Sequence, residues 1–394
     1  MTRTIIAWAT LVIVIGFALA ALPLLSQSNP PCPGVSATAY VNWAQLGFDA
    51  CHTGFNPNEL ILGPSNVGAL ALAWTHQTGG DVISTLAVAN GILYAASLDE
   101  YLYALNAKTG ALLWKFQMSG ADYPTPVVVN GVVYVAGGSY LYALRATDGK
   151  LLWKYTANYY AYLPTVVDGV VYFGANDGLY AVKADTGTLI WKSGDNVWMG
   201  YTAVANGIVY VTASQVGQLY AFDASTGALL WISDKYHGNS PVVTNGIVYL
   251  GTEGSPYGPG VIALKADTGA FLWNFQTQDA IFNSPAVAYG TVYLQAGYNS
   301  YDNYLYALDA QTGELKWSFY NAPSTYISPV VANGVVYTFS FAWGSSDGLQ
   351  AVDALTGQLL WQDESLFGSA IVANGWMYVT NDDPTVYAFH LPGR

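Results

Sequence analysis

A segment of the form Leu-Tyr-Ala-Leu-Asn-Ala-Lys-Thr-Gly-Ala-Leu-Leu-Trp recurs along this chain. Its first copy spans residues 102–114, and the later copies end at tryptophans in the same phase. The tryptophans are Trp114, Trp153, Trp191, Trp231, Trp273, Trp317 and Trp361, separated by 39, 38, 40, 42, 44 and 44 residues. A period of about 40 residues is typical of one four-stranded blade of a β-propeller.

Each repeat also carries a two-residue turn signal between its first two apolar runs. The signals are Asn90-Gly91, Asn130-Gly131, Asp168-Gly169, Asn206-Gly207, Asn245-Gly246, Asn333-Gly334 and Asn374-Gly375, with Tyr289-Gly290 as the one departure. Asn-Gly and Asp-Gly accept the positive φ angles of a type I′ turn, so these positions predict β-hairpins. The Thr-Gly pair later in the repeat predicts the turn into the fourth strand, which ends at the tryptophan.

The two ends of the repeat region are each incomplete. Trp74 lies 40 residues before Trp114, with no earlier strands of its own, whereas residues 368–390 predict three strands without a fourth. We expect residues 69–77 to supply the missing outer strand. The fold class is then all-β: an eight-bladed β-propeller of four-stranded antiparallel blades, closed by an N-terminal outer strand that pairs with the C-terminal strands.

Three parts of the chain follow from this pattern: an N-terminal signal or anchor helix at 1–25, a linker and irregular N-terminal segment at 26–68, and the propeller at 69–394. Arg3 precedes an uncharged run from Ile5 to Leu25, and the next charge is Asp49. The run is long enough to span a bilayer, with its positive flank on the cytoplasmic side. It is either an uncleaved anchor or a cleaved signal, and both place the propeller outside the cytoplasm. We expect residues 41–68 to lie as irregular chain across the propeller.

The chain has two cysteines, Cys32 and Cys51, and neither belongs to a repeat. An exported compartment favours a disulfide between them, and the alternative is a pair of unpaired thiols. The net charge is −13 with 12 Lys and Arg and no basic cluster, so nucleic acid is not an expected partner.

Within the repeat, Ala104, Asn106, Ala107, Thr109-Gly110 and Trp114 resemble the tryptophan-docking repeat of the quinoprotein, or pyrroloquinoline-quinone-like, propellers. The resemblance covers about residues 40–394. It implies that each tryptophan ring docks against the repeat of the neighbouring blade. The docking residues would be Trp74, Trp114, Trp153, Trp191, Trp231, Trp273, Trp317 and Trp361.

The connections between fourth and first strands, and between second and third strands, share one face and vary in length, so we expect a ligand or partner site there. Aromatic residues are concentrated in these connections: Tyr123, Tyr160, Tyr162, Trp198, Tyr201, Tyr236, Phe282, Tyr326, Trp343 and Phe367. They would suit a protein partner or a small-molecule or carbohydrate ligand. The alternative is that these rings cap blade edges and the channel.

Quinoprotein dehydrogenases hold their quinone with adjacent cysteines, a tryptophan and a Ca²⁺ bound by acidic and amide side chains. This chain has no adjacent cysteines, and we assign no catalytic residue and no metal ligand. Asn299, Asp302 and Asn303 could offer oxygen ligands to a cation, but they are also ordinary loop residues. We expect no cofactor, with pyrroloquinoline quinone and calcium as the alternative. The expected function is a monomeric, non-catalytic binding or scaffold module, similar to the outer-membrane assembly factors built on this repeat. The alternatives are a quinone-dependent oxidoreductase and a purely structural cell-surface module.

Overall fold

The computed structural model describes residues 43–393, except 121–123, 195–196, 214, 237, 239, 255–256, 298–301, 322–326, 343–344 and 382; for 235, 340–342 and 345–347 it describes the backbone alone. The predicted helix at 1–25 and residues 26–42 of the predicted linker and irregular segment, with Cys32, therefore lie outside the described residues. In the described part of the chain, no helix is long and apolar enough to cross a membrane.

The described chain forms eight sheets arranged as a propeller, which confirms the predicted fold class. Consecutive strands pair antiparallel within each blade, and the first strands of neighbouring blades contact one another around the axis. The strands of blades 1 to 4, from inner to outer, are Ala87–Ala89, Ile92–Ala96, Tyr101–Asn106 and Leu112–Gln117; Val127–Val129, Val132–Gly137, Tyr140–Arg145 and Leu151–Thr156; Thr165–Val167, Val170–Ala175, Gly178–Lys183 and Leu189–Ser193; Met199–Ala205, Ile208–Ala213, Gln218–Asp223 and Leu229–Lys235.

Blades 5 to 8 repeat the arrangement with one exchange of chain. Their strands, from inner to outer, are Val242–Thr244, Ile247–Thr252, Gly260–Lys265 and Phe271–Gln276; Ala286–Ala288, Thr291–Gln295, Tyr304–Asp309 and Leu315–Tyr320; Val330–Ala332, Val335–Ala342, Ser345–Asp353 and Leu359–Asp363; Ala370–Ala373, Trp376–Thr380, Thr385–His390 and the N-terminal Ala71–Gln77. The outer strand Ala71–Gln77 pairs antiparallel with Thr385–His390, so the predicted closure is confirmed. A short strand, Phe55–Asn56, and a 3-10 turn, Val67–Ala69, complete the described elements.

The two-residue turns adopt the predicted left-handed backbone. Asn90 has φ of 52° and the following Gly91 has φ of 77°. The Tyr289-Gly290 turn, which lacks Asn or Asp, adopts the same backbone: Tyr289 has φ of 52° and Gly290 has φ of 66°. These turns and the Thr-Gly turns lie on one side of the ring, which we call the tight-turn face. The longer connections lie on the opposite side, the loop-rich face.

Neighbouring blades are joined through the backbone carbonyl of one alanine in the third-to-fourth turn. The carbonyl oxygen of Ala184 in blade 3 accepts the indole N–H of Trp153, 2.9 Å away, and the hydroxyl of Tyr134, 3.0 Å away, both from blade 2. The tryptophans with this indole hydrogen bond are Trp74, Trp114, Trp153, Trp191, Trp231 and Trp317. Six of the eight predicted tryptophans thus bond to the neighbouring blade. The ring of Trp273 lies against Gly313, but its buried indole N–H has no partner among the described residues, and the docking of Trp361 stays a prediction. The second-strand tyrosine partner was not predicted.

The glycine of the Thr-Gly turn lies flat against the docked ring. A Cβ built on Gly110 would be 2.5 Å from the ring of Trp74, and Gly110 has φ of 70°. Only glycine meets both requirements, because a side chain would clash with the indole and would strain the left-handed backbone. The Thr-Gly-x-x-x-Trp spacing therefore encodes a contact between two blades.

Removal of the hydroxyl should change the stability of the protein differently at two tyrosines that occupy the same repeat position. Tyr134→Phe removes one of the two hydrogen bonds to the Ala184 carbonyl and should lower the free energy of unfolding by about 1 kcal/mol. Tyr337 in blade 7 is buried and its hydroxyl has no partner among the described residues, so Tyr337→Phe should leave stability unchanged or raise it. Urea denaturation midpoints measure both. Equal losses in the two variants would contradict the assigned role of the shared carbonyl.

Candidate functional site

Residues 43–56, here called the axial segment, lie in the central channel and hydrogen-bond to the inner strand of every blade. The contacts run in chain order from Trp43 with Val88, Ala44 with Val128, Gln45 with Val166, Ala50 with Val204, Cys51 with Val243, Thr53 with Val287 and Gly54 with Val331 to Asn56 with Val372. One pass of chain thus completes a circuit of all eight blades. Of the region expected to lie as irregular chain across the propeller, residues 43–56 lie in its channel, because the inner strands present unpaired backbone groups that the segment satisfies.

At blade 3 the axial segment bonds to the inner strand through the side chain of Gln45 and not through its backbone. Its Oε1 accepts the N–H of Val166 at 3.0 Å, and its Nε2 donates to the carbonyl of Val166 at 3.2 Å. The side-chain amide therefore pairs with blade 3 as a peptide group of an adjacent strand would. The residues that follow, Gly47 and Phe48, have positive φ angles of 61° and 79°, which turn the chain within the channel.

The axial segment brings two buried titratable groups to the centre. Asp49 Oδ1 accepts the N–H groups of Cys51 and Thr53 at 3.1 and 3.0 Å, and its Oδ2 accepts the Thr53 hydroxyl at 2.8 Å. Burial raises the pKa of Asp49 to about 6, although these hydrogen bonds oppose the shift. His52 lies with Nδ1 3.2 Å from Ser240 Oγ and Nε2 3.4 Å from Thr165 Oγ1, and burial lowers its pKa to about 4.

These axial residues do not fit a quinone held with calcium. Both carboxylate oxygens of Asp49 already accept hydrogen bonds from the segment, and both ring nitrogens of His52 face hydroxyls. Cys51 is buried, with Sγ 3.5 Å from the Val204 carbonyl oxygen. Its predicted partner Cys32 lies outside the described residues, so the disulfide stays a prediction. Among the described side chains, no three of His, Cys, Asp and Glu are grouped as metal ligands.

On the loop-rich face the predicted aromatic residues divide by exposure. Tyr160, Trp198 and Tyr201 are 51%, 44% and 39% exposed and lie in or next to the connections that enter blades 3 and 4. With Tyr159, which is also exposed, they form what we call the aromatic arc. This part of the predicted set is therefore brought onto two adjacent blades.

The other predicted aromatic residues that the structure describes are less exposed to solvent. Tyr236 is 3% exposed and stacks on Tyr257 with ring centroids 5.9 Å apart. Tyr162, Phe282 and Phe367 are half-buried, and the Tyr162 hydroxyl lies 2.5 Å from Asn176 Oδ1. The predicted residues Tyr123, Tyr326 and Trp343 lie outside the described residues.

Carboxylates tie several of the second-to-third connections to their own blades. The hydroxyls of Tyr103, Tyr180, Tyr306 and Tyr387 donate to Asp99, Asp177, Asp302 and Asp383, respectively. Burial alone would raise the pKa of Asp177, but hydrogen bonds from Asn158, Lys192 and Tyr180 outweigh it and the pKa is lowered. Asp302, considered above as a cation ligand, instead accepts from Tyr306 and from the backbone N–H of Gln278.

A family model described as outer membrane protein assembly factor BamB matches residues 71–232, 175–256 and 235–365. The chain belongs to this family. Together with the eight four-stranded blades, the match assigns the chain to the pyrroloquinoline-quinone-like propeller superfamily. No curated protein matches the chain.

Three solved structures illustrate the range of proteins that share the fold. BamB from Moraxella catarrhalis is 16% identical, with a TM-score of 0.62 over 82% of this chain and 98% of that one. Quinohemoprotein alcohol dehydrogenase from Comamonas testosteroni is 16% identical, with a TM-score of 0.71 over 90% and 81%. A europium-containing methanol dehydrogenase is 15% identical, with a TM-score of 0.70 over 89% and 98%. At these identities the likeness concerns the fold alone.

The axial amide pair should be costly to remove. Gln45→Ala leaves the buried N–H and carbonyl of Val166 unpaired and should lower the free energy of unfolding by about 2–4 kcal/mol. Gln117→Ala, at an exposed position of an outer strand, should change stability little. Urea denaturation of both variants measures the difference. A Gln45→Ala variant as stable as Gln117→Ala would show that the axial segment does not support blade 3.

The buried pair should give opposing pH dependences. Between about pH 4 and 6 folded Asp49 holds a proton that the unfolded chain releases, so this group lowers stability as the pH rises through that window. Folded His52 stays neutral down to about pH 4 whereas the unfolded residue, with its ordinary pKa of 6.5, takes up a proton, so this group lowers stability as the pH falls from 6.5 to 4.

In Asp49→Asn only the histidine contribution remains. The free energy of unfolding should then fall towards acid by up to about 1.4 kcal/mol per pH unit between pH 6.5 and 4, more steeply than in the unaltered chain. Urea denaturation at several pH values gives both slopes. Parallel slopes would contradict the raised pKa of Asp49.

Proposed function

We propose that this protein is an extracytoplasmic propeller, tethered by its N-terminal apolar segment, that binds a partner at its loop-rich face and catalyses no reaction. The observation that carries this proposal is the filled axis. The axial segment occupies the channel and takes up the hydrogen-bonding groups of the inner strands. Specific recognition is then left to the surface, where the aromatic arc provides exposed rings on adjacent blades.

The chemistry of the arc suits a protein segment or a carbohydrate. Tyrosine and tryptophan bury large areas with few rotatable bonds, and each has one polar atom that can hydrogen-bond at the edge of a contact. The membership of the BamB family supports the protein partner of these two. The chain would act as a monomer, with Cys32 and Cys51 forming a disulfide in the oxidising compartment.

A photo-crosslinking experiment in cells tests whether the partner binds at the loop-rich face. A benzoylphenylalanine residue replaces Trp198 in the aromatic arc, and in a matched variant it replaces Thr226, an exposed residue of the tight-turn face in the same blade. We expect a discrete crosslinked product at position 198 and none at 226. Tyr160→Ala in the same background should reduce the yield several-fold, because it removes a neighbouring ring. Crosslinking at 226 alone would contradict the assignment of the face.

The alternative, a quinone-dependent oxidoreductase, is supported by the dehydrogenases among the structures that share the fold. Titration of the purified protein with pyrroloquinoline quinone and Ca²⁺ distinguishes the two functions. We expect no saturable binding, because the axial side chains already have hydrogen-bond partners within the segment and on the surrounding blades. Stoichiometric binding together with dye reduction by an alcohol or a sugar would overturn the non-catalytic proposal.

A further inference from the structure

Both ends of the axial segment open onto the tight-turn face. Trp43 pairs antiparallel with Val88, so the chain that leads into it comes from the Asn90-Gly91 end of the inner strand of blade 1. At the other end, Phe55–Asn56 runs parallel to Val330–Ala332, and the backbone carbonyl of Leu62 then accepts a hydrogen bond from the Asn333 side chain at 3.0 Å. At residue 43 the described chain therefore enters the channel from the tight-turn face.

The same side of the ring carries exposed aliphatic and aromatic side chains. They lie at the start of the outer strands, next to the third-to-fourth turns, and form what we call the apolar rim: Leu72, Leu112, Leu113, Leu151, Leu152, Leu189, Ile190, Leu229, Leu230, Phe271, Leu315 and Leu359. Leu60 and Leu355 add to this face with exposures of 79% and 61%. Every blade contributes at least one residue, so the rim follows the whole circumference at one level along the axis.

Charge also separates the two faces. The acidic residues of the described loop-rich connections are Asp81, Asp99, Glu100, Asp177, Glu253, Asp279, Asp302, Glu364 and Asp383, and these described connections include no Lys or Arg. Lys115, Lys154, Lys192 and Lys235 lie at the loop-rich ends of outer strands, where Lys192 bonds to Asp177. The Lys and Arg residues at the tight-turn end are Lys108, Arg145, Lys150, Lys183, Lys265 and Lys316, where they are interspersed with acids. Because acids outnumber lysines by more at the loop-rich end, an anionic surface would repel that face more strongly than the tight-turn face.

We propose that the tight-turn face rests on the lipid bilayer, with the apolar rim in the interfacial region and the loop-rich face directed away from the membrane. This inference depends on the proposed N-terminal tether. The apolar run ends at Leu25, and residues 26–42 can span at most about 60 Å when fully extended, which holds the face near the bilayer. A flat bilayer meets a circular rim at every blade, whereas a compact protein partner would use one arc of it.

Quenching by lipid labels tests the orientation. The full chain is reconstituted into vesicles of phosphatidylcholine and phosphatidylglycerol that contain a lipid with a nitroxide on its headgroup. Fluorophores are attached to Ala111→Cys at the tight-turn face and to Leu98→Cys at the loop-rich face, both exposed positions of blade 1. The unsubstituted chain, treated identically, gives the labelling background of the native cysteines. We expect several-fold stronger quenching at position 111, reduced when Leu60→Asp and Leu355→Asp are added.

The outcomes separate the orientation from the tether. A chain that fails to float with the vesicles would overturn both the tether and this inference. A chain that floats but shows equal quenching at the two positions, or stronger quenching at 98, would overturn the orientation alone. A stable dimer in detergent whose label at 111 is shielded without lipid would assign the tight-turn face to a second copy instead.

Discussion

The fold depends on a backbone carbonyl that is removed from water between two blades and accepts two hydrogen bonds there. At Ala184 the donors are the indole of Trp153 and the hydroxyl of Tyr134. A carbonyl without partners between two blades would cost free energy, and here both rings supply a donor. At the equivalent Ala310 the donor is the Tyr249 hydroxyl, while the indole N–H of Trp273 has no partner among the described residues. Because the rings of Trp153 and Tyr134 also contact each other, with centroids 5.9 Å apart, one substitution disturbs packing and hydrogen bonding together. Repetition of this junction gives sheets of ordinary blades a defined angle and spacing.

The hydrogen-bonded junction between blades is different between blades 7 and 8, where the ring closes. The outer strand of blade 8 is Ala71–Gln77, so no turn connects it to the third strand of that blade, and blade 7 meets no equivalent alanine carbonyl there. The N-terminal chain supplies other contacts at the same place. The Glu59 carboxylate accepts the N–H of Gly375 at 3.0 Å, and Asn56 donates to the Val372 carbonyl at 2.8 Å. Residues 43–77 thus hold the ring from its axis and from its outer edge.

Sequence periodicity accounts for the blades, their turns and the closure, because each rests on a residue type that recurs at fixed spacing. The axial segment could not be predicted in this way. Gln45, Asp49 and Asn56 each satisfy a different position and follow no period, and the only local signals are Gly47 and Gly54, which permit positive φ. The partners of these residues lie on inner strands that are far away in sequence.

The aromatic residues show a second limit. Tyr236 and Trp198 occupy equivalent connections and look alike in sequence. Their exposures differ because Tyr257, from the longer connection of blade 5, packs against Tyr236. Exposure of a loop residue depends on which other loop reaches it, and loop lengths alone do not specify that contact. By contrast, the tyrosine of the second strand recurs at a fixed place in the blades. The repeat pattern alone could therefore have predicted that it acts together with the tryptophan.

The two faces of the propeller differ in how closely they follow its eightfold repeat. Features that recur in every blade, such as the apolar rim, present nearly the same surface in all directions around the axis and suit a partner without a preferred direction, such as a membrane plane. Features found on only some blades, such as the aromatic arc, give the ring a unique orientation and suit a partner with its own shape. Since the axial segment breaks the symmetry only inside the channel, the loop-rich connections are where a symmetric scaffold becomes specific.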